Sequence, residues 1–302
     1  MSGVILYGVP APGLVETPPG ALQVSPLIPG SQDLAALPDT ACDAAFVLAP
    51  GGTLERNFVL AHALRTLKPG GRLSVFAPKE KGGARLRKAL ERLGCVVTED
   101  ARRHHRFAHA ARPAELRDLD AVLAAGAPRR VADLGLWSQP GVFSWDRIDP
   151  GTKALADYMP ALSGRGADLG CGLGLLAARV LTSPAVTTLT GLDIDRRAID
   201  CASHNLNDAR VDLRWADVRQ PLADRGDLDF VVMNPPFHEA GAEDRELGVG
   251  FIRAAGAMLR RGGVCWLVAN RHLPYEAPLA SAFATFHVRA ELGGYKIIEA
   301  RR

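Results

Sequence analysis

The tightest constraint on what this chain can fold into lies between residues 165 and 181. An apolar strand candidate runs through Asp168-Leu-Gly-Cys-Gly-Leu-Gly174 and straight into an apolar helix candidate, Leu175 to Leu181. Strand, glycine turn and helix in immediate succession open a nucleotide-binding α/β fold. Gly170, Gly172 and Gly174 let backbone approach a ligand where a Cβ would clash. The spacing differs from the G-x-G-x-x-G that seats a pyrophosphate on a helix N-terminus. Asp168 instead puts a carboxylate where a phosphate would be repelled, which suits a cationic ligand. Cys171, inside the turn, reads as a small buried filler.

Two further acidic strand ends define that ligand. The strand candidate 187–193 ends in Asp193, placed to accept from two ribose hydroxyls, with Asp195 as the less favoured alternative. The candidate 211–216 ends before Asp217, placed to accept from an adenine amino group. A nucleoside with a positive centre and no phosphate is implied, and S-adenosylmethionine fits.

Residues 229–238 read Asp-Phe-Val-Val-Met-Asn-Pro-Pro-Phe-His. Both prolines lock φ near −65° and lack an N–H, so the turn after this apolar strand is stiff. The Asn234 side-chain carbonyl and the Pro235 backbone carbonyl can grip one planar amino group and turn its lone pair toward an electrophile. Phe237 offers a face for a ring to stack on, and Pro236 completes the substrate side of the turn. His238 could contact the substrate or remove its surplus proton, and could equally begin a helix. On this reading Asn234, Pro235 and Phe237 carry the chemistry, and alignment for in-line displacement is the main contribution. A base held in RNA must first turn out of its stack.

The segments Asp168–Gly174, Asn234–His238 and Val268-Ala-Asn-Arg-His-Leu-Pro-Tyr275 resemble the small-subunit rRNA guanine-N2 methyltransferase family, together with Gly141-Val-Phe-Ser-Trp-Asp-Arg-Ile-Asp-Pro-Gly-Thr152. That family acts on 16S rRNA, with relatives acting on 23S rRNA. The resemblance implies a class I, Rossmann-like α/β methyltransferase fold. Its sheet is doubly wound with an antiparallel terminal hairpin, and a truncated, degenerate copy precedes it. It implies S-adenosylmethionine as cofactor, and ribosomal RNA or a ribosomal subunit as partner. It also implies that Phe143 and Thr152 close the methionine end. The amino-group turn alone leaves N6-adenine and protein glutamine-N5 as rival targets. A non-catalytic RNA-binding assembly factor is the rival from another class, opposed by both motifs being intact.

The C-terminal grammar of strand, helix, Gly-Gly turn and strand at 229–268 is foreshadowed at 43–77, where Ala49-Pro-Gly-Gly52 replaces the Asn-Pro-Pro-Phe turn. Two domains are expected: residues 1–130, a degenerate copy serving RNA recognition, and residues 131–302, the catalytic unit. The first 40 residues read as irregular and 118–136 as a link. Residues 1–150 hold 18 Lys and Arg against 15 Asp and Glu, whereas 151–302 hold 18 of each. This small basic excess suits an RNA partner. Arg102, Arg103 and Arg106 are the candidate phosphate strip.

No apolar run approaches the ~20 residues of a membrane span, and no signal peptide opens the chain. The five scattered cysteines suit a reducing cytoplasm and argue against structural zinc, and His104, His105 and His109 are poorly spaced for a metal. A cytoplasmic monomer without metal is expected.

Overall fold

The computed structural model describes residues 3–220, 226–236 and 242–302, without the side chains of 242–245. Two compact units emerge: Met1–Arg129 with Gln139–Gly141, and Arg130–Ser138 with Val142–Arg302.

The N-terminal unit runs β1 (Val4–Tyr7), β2 (Leu22–Gln23), β3 (Cys42–Leu48), α1 (Thr53–Thr66), β4 (Leu67–Pro78), α2 (Leu86–Arg92), β5 (Thr98–Arg102), β6 (His105–Ala111) and α3 (Leu119–Gly126). Its sheet order is β2-β1-β3-β4-β6-β5. The first four strands are parallel, and β6 and β5 form an antiparallel end. Two expectations are corrected here. The first 40 residues contain strands, because Ile5 and Tyr7 bury one face of a run too short to show a period. Residues 118–136 are more than a link, because α3 packs Val122 into the core of this unit.

A short ribbon follows, β7 (Arg129–Val131) with β8 (Leu136–Ser138). The C-terminal unit continues with α4 (Pro150–Tyr158), β9 (Gly164–Leu169), α5 (Leu175–Leu181), β10 (Val186–Asp193), α6 (Arg196–Asn205), β11 (Val211–Trp215) and β12 (Leu228–Met233). It ends with α7 (Ala242–Met258), β13 (Leu259–Asn270), α8 (Glu276–Ala282), β14 (Thr285–Leu292) and β15 (Tyr295–Arg301). The sheet order is β11-β10-β9-β12-β13-β15-β14. The first five strands are parallel, β15 runs antiparallel to β13, and β14 runs antiparallel to β15. This is the expected doubly wound sheet with its terminal hairpin.

Helices cover both faces, so the central strands are apolar throughout rather than alternating. Phe230 to Met233 are all buried, with Val231 and Met233 in one core cluster and Phe230 and Val232 in the other. The topology reverses between β9 and β12, since β9 leads to β10 on one side while β12 returns on the other. A crevice opens at such a switch point, beyond the carboxyl ends of the strands. The strand order of the N-terminal sheet matches this one with the outermost strand, β11, removed.

Gly166 lies under the Phe230 ring, where a Cβ would fall 2.0 Å from a ring carbon. Gly166→Ala is therefore expected to lower the unfolding free energy by ~1–3 kcal/mol, as overpacking does. Urea denaturation checks this, and an unmoved midpoint would mean that β9 and β12 are not held in this register.

Candidate active site

Met233 pairs with Leu169 across β12 and β9, so Asn234 and Gly170 leave the sheet side by side. The two motifs, 60 residues apart in sequence, thus share one edge. Gly170, Gly172 and Gly174 have φ of +70°, +53° and +87°, a conformation that costs residues with a Cβ. A Cβ on Gly172 would meet nothing within 4 Å, so this backbone faces open space. The cleft encloses about 440 Å³ including its mouth, and is lined by the turn together with Phe143, Ser144, Asp149, Thr152, Leu175, Leu176 and Asn234.

Carboxylates dominate the electrostatics. Asp168 is fully buried, and neither oxygen has a hydrogen-bond partner of ordinary geometry. Burial pushes its carboxyl up to about 7; the Ala177 amide opposes this, and the charge of Asp193 adds to it. Asp193 accepts from Gly172 N–H at 2.8 Å and from Asp195 N–H at 2.9 Å, which ties the end of β10 to the glycine turn. Burial still raises it to about 6, against these amide bonds. Asp195 is engaged elsewhere, capping α6 at Arg197 N–H and pairing with the Arg197 guanidinium at 2.8 Å. That leaves Asp193 as the carboxylate facing the turn. Asp193 C=O accepts from Ala216 N–H at 2.9 Å, which brings Asp217 to the same edge. Asp217 pairs with Arg219 at 2.7 Å, and this bond holds its pKa below the ordinary value.

The amino-group turn is held from α4. Asp149 caps that helix, with Pro150 in the first turn, and its Oδ2 accepts from Thr152 N–H at 2.7 Å and Thr152 Oγ1 at 3.1 Å. Asn234 Nδ2 donates to the same Asp149 Oδ2 at 2.9 Å and to Thr152 Oγ1 at 2.8 Å. Asn234 Oδ1 is buried without a partner among the described residues. Pro235 is buried and Pro236 partly so, while Phe237 and His238 lie outside the described residues.

These residues fit S-adenosylmethionine. An unfilled glycine cradle, a buried carboxylate pair for a cation and no Lys or Arg among the lining residues suit a positively charged nucleoside. Such a fold with such an edge defines a class I S-adenosylmethionine-dependent methyltransferase. The Methyltransferase small domain profile matches residues 133–299. The ribosomal RNA small subunit methyltransferase C of Shewanella piezotolerans is 31% identical over 86% of this chain and 78% of its own. That of Pseudomonas entomophila is 31% identical over 88% and 81%. The Thermus thermophilus 16S rRNA N2 G1207 methyltransferase, solved with AdoMet and guanosine, superposes with a TM-score of 0.74 at 27% identity, over 90% of this chain and 76% of that one. The chain belongs to the ribosomal RNA small subunit methyltransferase C family.

The remaining expectations land unevenly. Phe143 and Thr152 do line the cleft, and Phe143 is 58% exposed. The arginine strip is not one surface. Arg103 sits in a tight turn with φ of +47° and donates to Pro12 and Gly13 carbonyls. Arg102 lies 4.4 Å over the Phe107 ring, and Arg106, exposed, projects from the opposite face of the hairpin. Alternation along a strand forces that separation. Asp149 was not expected in the site. Its signal was legible as Asp-Pro at a helix start, which points to a cap and to nothing more.

Both raised carboxyls hold a proton more tightly than a free aspartate, whose value is near 3.8. A cationic ligand and ribose hydroxyls both favour the ionised form. S-adenosylmethionine affinity is therefore expected to rise as pH rises through about 6 to about 7, with proton release. Calorimetry in buffers of differing ionisation enthalpy reads this directly; a flat profile would remove both carboxylates from the ligand's surroundings.

Proposed function

We propose that this enzyme transfers a methyl group to the exocyclic N2 amino group of a guanine in small-subunit ribosomal RNA. One observation carries the reading: Asn234 Oδ1 is a buried acceptor left without a partner among the described residues, beside the glycine cradle, while its own amide nitrogen is tied back to Asp149 and Thr152. An orphaned buried acceptor costs ~1–3 kcal/mol unless a ligand donor reaches it. An amino group is such a donor.

Bound S-adenosylmethionine supplies a methyl group on a positively charged sulfur. Gly170, Gly172 and Gly174 line its methionine part in this reading, Asp193 holds the ribose and Asp217 the adenine amino group. Asp168 contributes its field to the ligand's positive charge. Phe143 and Thr152 stand at the methionine end. Asn234 Oδ1 and the Pro235 carbonyl accept the two protons of the target NH2, which draws the nitrogen lone pair out of conjugation with the ring and aims it. Phe237 stacks on the base, and Pro236 and His238 complete the substrate side. Once methylated, the nitrogen sheds one proton. All of these groups come from one chain, so a monomer suffices.

We read the N-terminal unit as a degenerate copy that holds RNA. The shared strand order supports this, as does Ala49-Pro-Gly-Gly52 standing after β3 where Asn234-Pro-Pro stands after β12. Of Arg102, Arg103 and Arg106, the exposed Arg106 is its phosphate contact in this reading.

Asn234→Ala is expected to abolish transfer of labelled methyl to small ribosomal subunits while leaving S-adenosylmethionine affinity nearly intact. A rate loss matched by an equal affinity loss would make the turn structural and defeat the reading. Arg106→Glu is expected to weaken RNA binding and to reduce the log–log salt slope by roughly 0.7–0.9. An unchanged slope would place Arg106 away from phosphate.

A further inference from the structure

We infer that Asp149, acting with Thr152, decides which end of the Asn234 side-chain amide faces the target amine, and that both are positioning residues for methyl transfer. This rests on the reading of Asn234 as the acceptor of that amine.

A side-chain amide turned by a half rotation exchanges its oxygen for its nitrogen at almost no steric cost. For Asn234 the exchange decides everything. With Oδ1 toward the cleft, the residue grips an amino group. With Nδ2 toward the cleft, two donors would confront a donor.

The far side of the amide settles which occurs. Asp149 presents carboxylate oxygens, which accept. Its Oδ2 gathers Thr152 N–H, the Thr152 hydroxyl and Asn234 Nδ2, at 2.7, 3.1 and 2.9 Å. The Thr152 hydroxyl spends its one proton on Asp149, so toward Asn234 it can offer only a lone pair, and Nδ2 reaches it at 2.8 Å. Both partners are thus acceptors, and both Nδ2 protons are used. In the reversed amide, Oδ1 would face the Asp149 carboxylate oxygen with no proton between them, and the Thr152 hydroxyl could serve it only by leaving Asp149.

Helix capping does not account for this. A cap needs one acceptor for an early N–H of the helix, and Thr152 N–H supplies that bond alone. The bond from Asn234 spans 85 residues of sequence and is surplus to the helix. The start of α4 is itself fixed: a Cβ on Gly151 would fall 2.8 Å from the Tyr295 ring, so glycine lets β15 close against the first turn.

Asp149→Ser separates capping from orientation, because Ser caps helices as well as Asp does but its hydroxyl, one bond shorter than the carboxylate, does not extend to Asn234 Nδ2. With purified enzyme and small subunits, kcat is expected to fall about 100-fold, the scale of a misaligned reacting group. The RNA KM, the S-adenosylmethionine Kd and the melting temperature should stay close to those of the unaltered enzyme. Thr152→Val should lose about tenfold in kcat, one hydrogen bond's worth, and Thr152→Ser should restore it. A readout independent of turnover is the Asn234 side-chain NH2 pair in a 15N-labelled sample, identified by its loss in Asn234→Ala. That pair should exchange slowly in the native enzyme and fast in Asp149→Ser.

If Asn234→Ala is inactive while Asp149→Ser and Thr152→Val turn over normally, the Asp149 assignment is overturned and the Asn234 reading stands. If Asn234→Ala itself turns over normally, both fall. A kcat loss in Asp149→Ser that is matched by lost stability or cofactor affinity, with Thr152→Val unaffected, would also overturn the inference.

Discussion

The pairing of β9 with β12 is the constraint on which the site depends. Met233 opposite Leu169 sets the glycine turn beside the Asn-Pro-Pro turn at the one place where the strand order reverses. A shift of one residue would send Asp168 to the other face and separate the two edges. Buried apolar side chains hold that register: Phe230 lies over Gly166, and Val231 and Met233 pack against Ile252 and Ala255 of α7 in one core. The same register makes room for α4, whose capping residue reaches across to Asn234.

The site is electrostatically expensive without its ligand. Asp168 and Asp193 are both buried, and both are raised above the usual carboxylate range. The sign follows from linkage. A carboxyl whose folded pKa exceeds its unfolded value contributes stability that is fully present below the unfolded value, near 3.8, and is lost as pH rises through the folded values of about 6 and about 7. At neutral pH this sheet edge therefore carries unfavourable negative charge, which a cation relieves. Asn234 shows the same logic in neutral form, as an acceptor buried without a donor. Polar groups left unsatisfied at the cleft are the features that a ligand would satisfy.

Much of this was legible in the sequence, for a physical reason. The catalytic unit is built from buried parallel strands bounded by glycine and proline, and such runs announce themselves. The helix read as Leu175 to Leu181 is α5, and the strand candidates 187–193 and 211–216 fall on β10 and β11. Asp193 and Gly172 were visible because strand ends and glycine turns are local signals. What escaped depends on contacts remote in sequence. Asp149 looks like any helix cap until β12 delivers Asn234 to it. Arg102 and Arg106 look like one strip until the hairpin sends them to opposite faces. Val4 to Tyr7 is too short for its period to stand out, and only pairing with β3 makes it a strand.

The central claim, that an oriented Asn234 oxygen grips the N2 amino group of a guanine, is tested most directly by the identity of the methylated nucleoside. Small ribosomal subunits would be incubated with the enzyme and methyl-labelled S-adenosylmethionine, the RNA digested to nucleosides, and the label located. The account predicts label in N2-methylguanosine. Label in N6-methyladenosine, or in protein with none in RNA, would contradict it.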